Sequence, residues 1–233
     1  MAFATSVAIA VGVVFLLVGL LLGIGWWFGL VGLVAGAGLA RLHVQRTVER
    51  VLVAVGAVPL TDAARLENLV DGLCVANGIA HPRLMVVDSP ARNAAILGLT
   101  PRHSTLVVTR GLLDESTRIE LEGVVARQLA LVKSEHAALA TVVAAIAVVW
   151  AGAPQRLLPA RADLLADLDG VAYTRYPPGL IGALERIAGS TSLDSAPRWT
   201  RHLWIDDPVS PAHGRAGSFH SPIDERIATL REL

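Results

Sequence analysis

Few side chains in this chain are equipped for chemistry, and their spacing narrows what they can do. Cys74 is the one cysteine, so an internal disulfide and a multi-cysteine metal site are both excluded. It lies in the apolar run Leu69, Val70, Leu73, Val75 and reads as a buried thiol. His103, His202 and His213 are scattered among turn-forming residues. Glu135 and His136 are neighbours, which on a helix point about 100° apart. Ser134 and His136 do not form a recognisable nucleophile–base spacing.

The informative stretch is Leu121 to Lys133. A helix with two histidines at i and i+4, and a glutamate beside the first, binds zinc on one face and activates a water. Here those three positions hold Arg127, Gln128 and Leu131. Arg127 is a cation, Gln128 cannot take a proton from water as a carboxylate does, and Leu131 has no lone pair. Asp163 and Asp167 follow within Asp163-Leu164-Leu165-Ala166-Asp167. Asp163 can ligate a metal, but it stands alone. The residues therefore predict no catalytic set, no metal and no cofactor.

The elements that carry these groups begin in a membrane. The chain has 233 residues, 53% of them hydrophobic and 17% charged, which is apolar for a soluble domain. Its charges balance to +0, which argues against a nucleic-acid partner. From Phe3 to Ala40 there is no charged residue. One helix of that length would run about 55 Å, nearly twice a hydrocarbon core. Two spans turning near Gly23-Ile24-Gly25-Trp26-Trp27 fit better, with the tryptophans at the interface. Arg41, Arg46 and Arg50 follow, placing the remainder in the cytoplasm. Gly19/Gly23, Gly25/Gly29 and Gly32/Gly36 have small-xxx-small spacing. They serve either to close the hairpin on itself or to dock a partner, with Gly32 and Gly36 as the docking candidates.

Beyond residue 41 the pattern is mostly helical with a small sheet. Residues 62–76 form an amphipathic helix capped by Thr61 or Asp62 and ended by Asn77-Gly78. Short apolar runs at 84–87, 93–97 and 104–109 read as strands. Residues 137–153 are uncharged. They form a helix buried in the domain or dipping into the bilayer, rather than a third span. Helices follow at 162–172, 180–187 and 222–233, and 190–218 reads as a long surface loop.

Four blocks, in order, resemble the HtpX family of membrane-anchored zincin peptidases, relatives of the CAAX prenyl proteases. They are Pro82 to Ala94, Leu106 to Leu113, the Leu121 to Lys133 helix, and His220-Ser221-Pro222-Ile223-Asp224-Glu225-Arg226-Ile227. The resemblance implies an α+β fold: a transmembrane hairpin over 1–41 and a zincin-like cytoplasmic domain over 42–233, including the apolar helix 137–153. It places the family's zinc histidines on Arg127 and Leu131, its catalytic glutamate on Gln128, and its third ligand on Asp163. It also implies that Asn93, Ala94, Ala95 and Ile96 form a substrate-edge strand able to bind an extended peptide through its backbone. Arg127 and Asp163, a cation and an anion where the family has a bridging metal, are expected to pair. The function expected from these residues is that of a non-catalytic pseudopeptidase, not an enzyme. It would be an accessory or scaffold subunit of an inner-membrane protein complex, touching the lipid bilayer and a protein partner and no nucleic acid. The alternative is an active membrane hydrolase or peptidase with a rearranged site.

Overall fold

The computed structural model describes residues 2–23, 26–61, 63–159, 161–209 and 220–233, with side chains from residue 12 onward. Gly25, Asp62 and His213, and the end of the expected surface loop, lie outside the described residues. The fold is α+β, and it divides into two units, Met1–Glu49 and Arg50–Leu233.

The first unit is a helical hairpin. α1 runs Ala2–Leu21 and α2 runs Trp27–Val55. Glycine sets their approach: a Cβ on Gly12 would lie 2.6 Å from Leu33 Cγ, and one on Gly29 would lie 3.1 Å from Leu16 Cβ. Phe15 stacks on Phe28 with ring centroids 5.2 Å apart. Gly32 and Gly36, the docking candidates, are buried within the chain. Small residues at this spacing draw in the nearest helix first. Among the described residues, α2 is the helix long and apolar enough to cross a bilayer. α2 does not stop near residue 41. Its 29 residues run about 44 Å, so the turns bearing Arg41, Arg46 and Arg50 continue it, and the unit boundary falls at 49/50.

The second unit holds a four-stranded sheet: β1 (Ala57–Pro59), β2 (Arg83–Val87), β3 (Ala94–Gly98) and β4 (Ser104–Thr109), in the order β1-β2-β4-β3. β2 runs parallel to β4, with Leu84 beside Leu106. β3 runs antiparallel to β4, with Ala94 beside Val108. Every residue of β3 and β4 is buried, as expected of strands covered on both faces.

Helices cover the sheet. α3 (Ala64–Asn77) buries Leu66, Leu69, Val70, Leu73 and Cys74, and Gly78 ends it at φ +64°, a conformation glycine adopts without a steric penalty. α4 (Arg110–Glu115) stops at Ser116, and α5 (Arg118–Lys133) starts from a capping box: Glu120 N–H donates to Thr117 Oγ1 and Thr117 N–H donates to Glu120 Oε2. α5 is the core helix, buried on nearly all sides.

The run 137–153 is not one helix. α6 (His136–Ala147) is followed by a turn and then α7 (Ala153–Leu157). At 12 residues, α6 reaches about 18 Å, too short to span, and it packs on β3. α8 (Ala162–Thr174), α9 (Pro177–Ala188) and α10 (Ile223–Arg231) complete the unit. The described part of the expected surface loop is not a surface loop. Arg198–Leu203 forms a 3-10 turn, and Thr200, Leu203, Trp204 and Ile205 are buried.

Candidate functional site

α5 and α8 cross where glycine allows it. A Cβ on Gly170 would sit 2.6 Å from Arg127 Cα, so the two backbones touch at the residue that carries the guanidinium. Asp163 and Asp167, four residues apart, lie on one face of α8 and both reach Arg127. Arg127 Nε donates to Asp167 Oδ1 at 2.7 Å, and its terminal nitrogen reaches Asp163 Oδ1 at 3.3 Å. The expected Arg127–Asp163 pair is present, though the closer partner is Asp167. Asp167 is in turn gripped by Arg226 of α10, at 2.6 and 2.8 Å. Arg226 also donates to the Ile205 carbonyl at 2.8 Å. Asp163 Oδ2 meets His220 Nδ1 at 3.0 Å and accepts from Ser221 N–H. Arg127, Asp163, Asp167, His220 and Arg226 are all buried.

A zinc ion does not fit here. Both oxygens of Asp163 are engaged, and a guanidinium fills the place of the first ligand. A dication about 4 Å from it would meet repulsion on the order of 8 kcal/mol at an effective dielectric of about 20. Leu131 lines the cleft as an apolar wall. Gln128 is fully buried, and neither polar atom of its amide has a hydrogen-bond partner. Among the described residues no group of three His, Cys, Asp or Glu side chains is placed to hold a metal.

Beside the network opens a cleft between β3, α5, α6 and α8. Its polar residues are Arg127, His136, Asp163 and His202, and its walls include Ile96, Leu131 and Trp204. His136 is half-buried in this cleft at the N-terminus of α6. Its Nδ1 is 3.0 Å from Ser134 Oγ. Ser134 spends its own proton on the Ala130 carbonyl at 2.9 Å, so its oxygen accepts from His136 Nδ1–H, which leaves the lone pair on Nε2. His202 Nε2 donates to the Ala140 carbonyl at 3.0 Å and ties the 3-10 turn to α6.

The edge expected to receive a peptide is already engaged. Ile205 N–H donates to the Ala94 carbonyl at 3.0 Å, and Trp204 bridges antiparallel to Ala95. Asn93 anchors the arrangement: its amide donates to the Asp206 carbonyl at 2.8 Å and its oxygen accepts from Ile205 N–H at 3.1 Å. So Ala94 to Ile96 lie in the edge strand β3, with Asn93 just before it, and the chain's own 204–206 segment covers its first half. The signal for this lay in Leu203-Trp204-Ile205, an apolar triplet inside a polar tract.

Burial and charge set the titration of the site. Burial pushes His202 down from 6.5 to about 4. Burial resists ionisation of Asp163, but the charge and hydrogen bond of His220, then Arg226 and Arg127, hold it well below the carboxylate range. Burial likewise opposes the charge on His220, and Asp163 overcomes it and raises the imidazole. Asp206 is raised, mainly by burial. Between pH 6.5 and about 4 the unfolded chain binds a proton at residue 202 that the folded chain refuses, so stability falls as pH drops through that window. The full loss is about 3 kcal/mol. His220, raised in the fold, contributes fully below its unfolded value, and that contribution is flat across the window. Chemical denaturation in detergent between pH 7 and 4 should therefore show this slope, and His202→Gln should flatten it. An unchanged slope in the variant would assign the acid sensitivity elsewhere.

The model of peptidase family M48 matches residues 60–187. The chain is 34% identical over 209 residues to a protease HtpX homologue of Dictyoglomus turgidum, covering 72% of this chain and 69% of the relative. It is 30% identical to one from Caldanaerobacter subterraneus, over 78% and 77% of the two chains. It is 27% identical to one from Tropheryma whipplei, over 94% and 89%. These matches overturn two expectations: that the chain is not an enzyme, and that it is a non-catalytic accessory or scaffold subunit. The family is a peptidase family and each of these relatives is named a protease. The inference to inactivity took three residue positions for the whole of the chemistry.

Proposed function

Because the chain belongs to peptidase family M48, with proteases named as HtpX homologues among its relatives, we propose that it is a membrane-anchored peptidase with a rearranged set of hydrolytic groups, acting on extended segments of protein substrates. The observation that carries the reading is the cleft against β3, which keeps a strand edge, apolar walls and an imidazole together. An incoming segment pairs along Ala94–Ile96 by exchanging with Trp204 and Ile205. His136 is the group suited to act as base. The Ser134 bond at Nδ1 leaves the Nε2 lone pair free to take a proton. A water gives its proton to Nε2 as its oxygen adds to the scissile carbonyl carbon. The same proton then passes to the leaving amide nitrogen as the C–N bond breaks.

The test uses the purified full chain in detergent with a labelled, unfolded protein. Cleavage is expected, and His136→Ala should lower its rate about a hundredfold or more. Because His136 is half-buried, the melting curve should not move. Undiminished cleavage by that variant would place the base elsewhere. No cleavage by the native chain would remove the reading altogether.

Orientation belongs to the same proposal. In this reading the 50–233 unit faces the cytoplasm at the inner membrane and meets its protein substrates there; the basic residues Arg41, Arg46 and Arg50 after the apolar stretch support it. Reporters fused after residue 60 and at the C-terminus should both report cytoplasm. An external signal from either would reverse the assignment.

A further inference from the structure

The disagreement between the family's metal and this chain's residues points to a specific replacement. We propose that the Arg127 guanidinium is a resident cation standing where the resembled peptidases hold zinc, so that α5 and α8 are locked together without a metal and the place accepts none. The inference rests on the functional reading above only for the location of the cleft.

Three observations carry it. The first is geometry. Asp163, the position of the resembled third ligand, and Asp167 converge on Arg127 from one face of α8, at 3.3 and 2.7 Å. The second is charge. Two guanidinium groups, Arg127 and Arg226, stand against two carboxylates, Asp163 and Asp167, all buried. These four charges balance, and His220, buried on Asp163 Oδ2, can only add positive charge, so a dication would enter uncompensated. The third is contact. With the Gly170 position pressed against Arg127 Cα, the helices are already as close as their backbones permit, and the guanidinium is held rather than loosely pendant. A guanidinium suits this place because its planar fork binds two carboxylates at fixed angles.

The test reads metal and melting, not activity, so it stands whether or not cleavage is observed. The full chain purified in detergent should carry well below one zinc per chain by elemental mass spectrometry. Its melting temperature should not respond to a chelator or to added zinc, whereas a bound metal would raise it by mass action. Two variants then isolate Arg127. Gln128→Glu with Leu131→His restores two of the three helix positions and leaves the guanidinium in place, and it should remain without zinc. Adding Arg127→His should bring zinc up toward one per chain. Stoichiometric zinc in the native chain would overturn the proposal. So would equal zinc uptake by the double and triple variants, because Arg127 would then not be what excludes the metal.

Discussion

Arg226→Met will cost the 50–233 unit roughly 3–5 kcal/mol, the range for breaking a buried ion pair from one side. The side chain is fully buried and makes three bonds that methionine cannot make. Asp167 loses a bidentate partner and keeps only Arg127. The Ile205 carbonyl, in the segment that covers β3, loses its donor. A loss of that size is a large share of a typical domain's 5–15 kcal/mol, so the variant should accumulate poorly and unfold early in denaturant. Adding Asp167→Leu should recover part of the loss by removing the stranded charge. A loss below about 1 kcal/mol for the single variant would mean the network relaxes around the gap or admits water.

Gly170→Val will prise α8 from α5. The new Cβ would meet Arg127 Cα at 2.6 Å and its nitrogen at 2.9 Å, backbone atoms that cannot swing aside. Overpacking of this kind costs about 1–3 kcal/mol in a core, and more where it also breaks polar contacts. Here it would draw Asp163 and Asp167 off the guanidinium. Gly123 is a second such point, 2.7 Å from Leu180 N at α9. Gly72 is the control. Its Cβ would meet nothing within 4 Å, so Gly72→Ala should stabilise α3 by about 1 kcal/mol. Thermal melts of the two variants give the comparison, and equal melting temperatures for Gly170→Val and the native chain would mean the helices separate at no cost.

What the sequence made legible was mostly local. α3, α9 and α10 follow from an apolar period with a glycine or proline at one end, and β2 to β4 from apolar runs between turns. The pairing of Arg127 with Asp163 was also readable, because two opposite charges stood in place of a bridging ion. The closer partners were not. Asp167 and Arg226 are 59 residues apart, and no spacing rule joins them; they meet because α8 and α10 pack together. The described part of the expected loop, residues 190–209, was misread for a related reason. Its fold owes nothing to periodicity. It is held by the Asn93 side chain and the Ala94 carbonyl, whose availability depends on the sheet being built first. His136 was passed over because Ser134 and Glu135 turn the chain between α5 and α6, and residues two apart then face each other. α2 runs on past residue 41 for a simpler reason: charged residues end an apolar stretch, not a helix.

The segment over β3 also bears on how copies of this chain avoid one another. A four-stranded sheet has two edges, each a template for pairing with a neighbour. On one side β1 is three residues long and ends in Pro59, which has no N–H to offer. On the other, Trp204 and Ile205 close Ala94 and Ala95. That second guard is made late. About a hundred residues separate Gly98 from Trp204, which at ribosomal speed is roughly 5–20 seconds in which Ala94-Ala95-Ile96-Leu97 exists without its cover. During that interval the apolar edge is the nascent chain's main hazard for cross-pairing with its neighbours on the same message, and the arrival of residues 203–206 ends it.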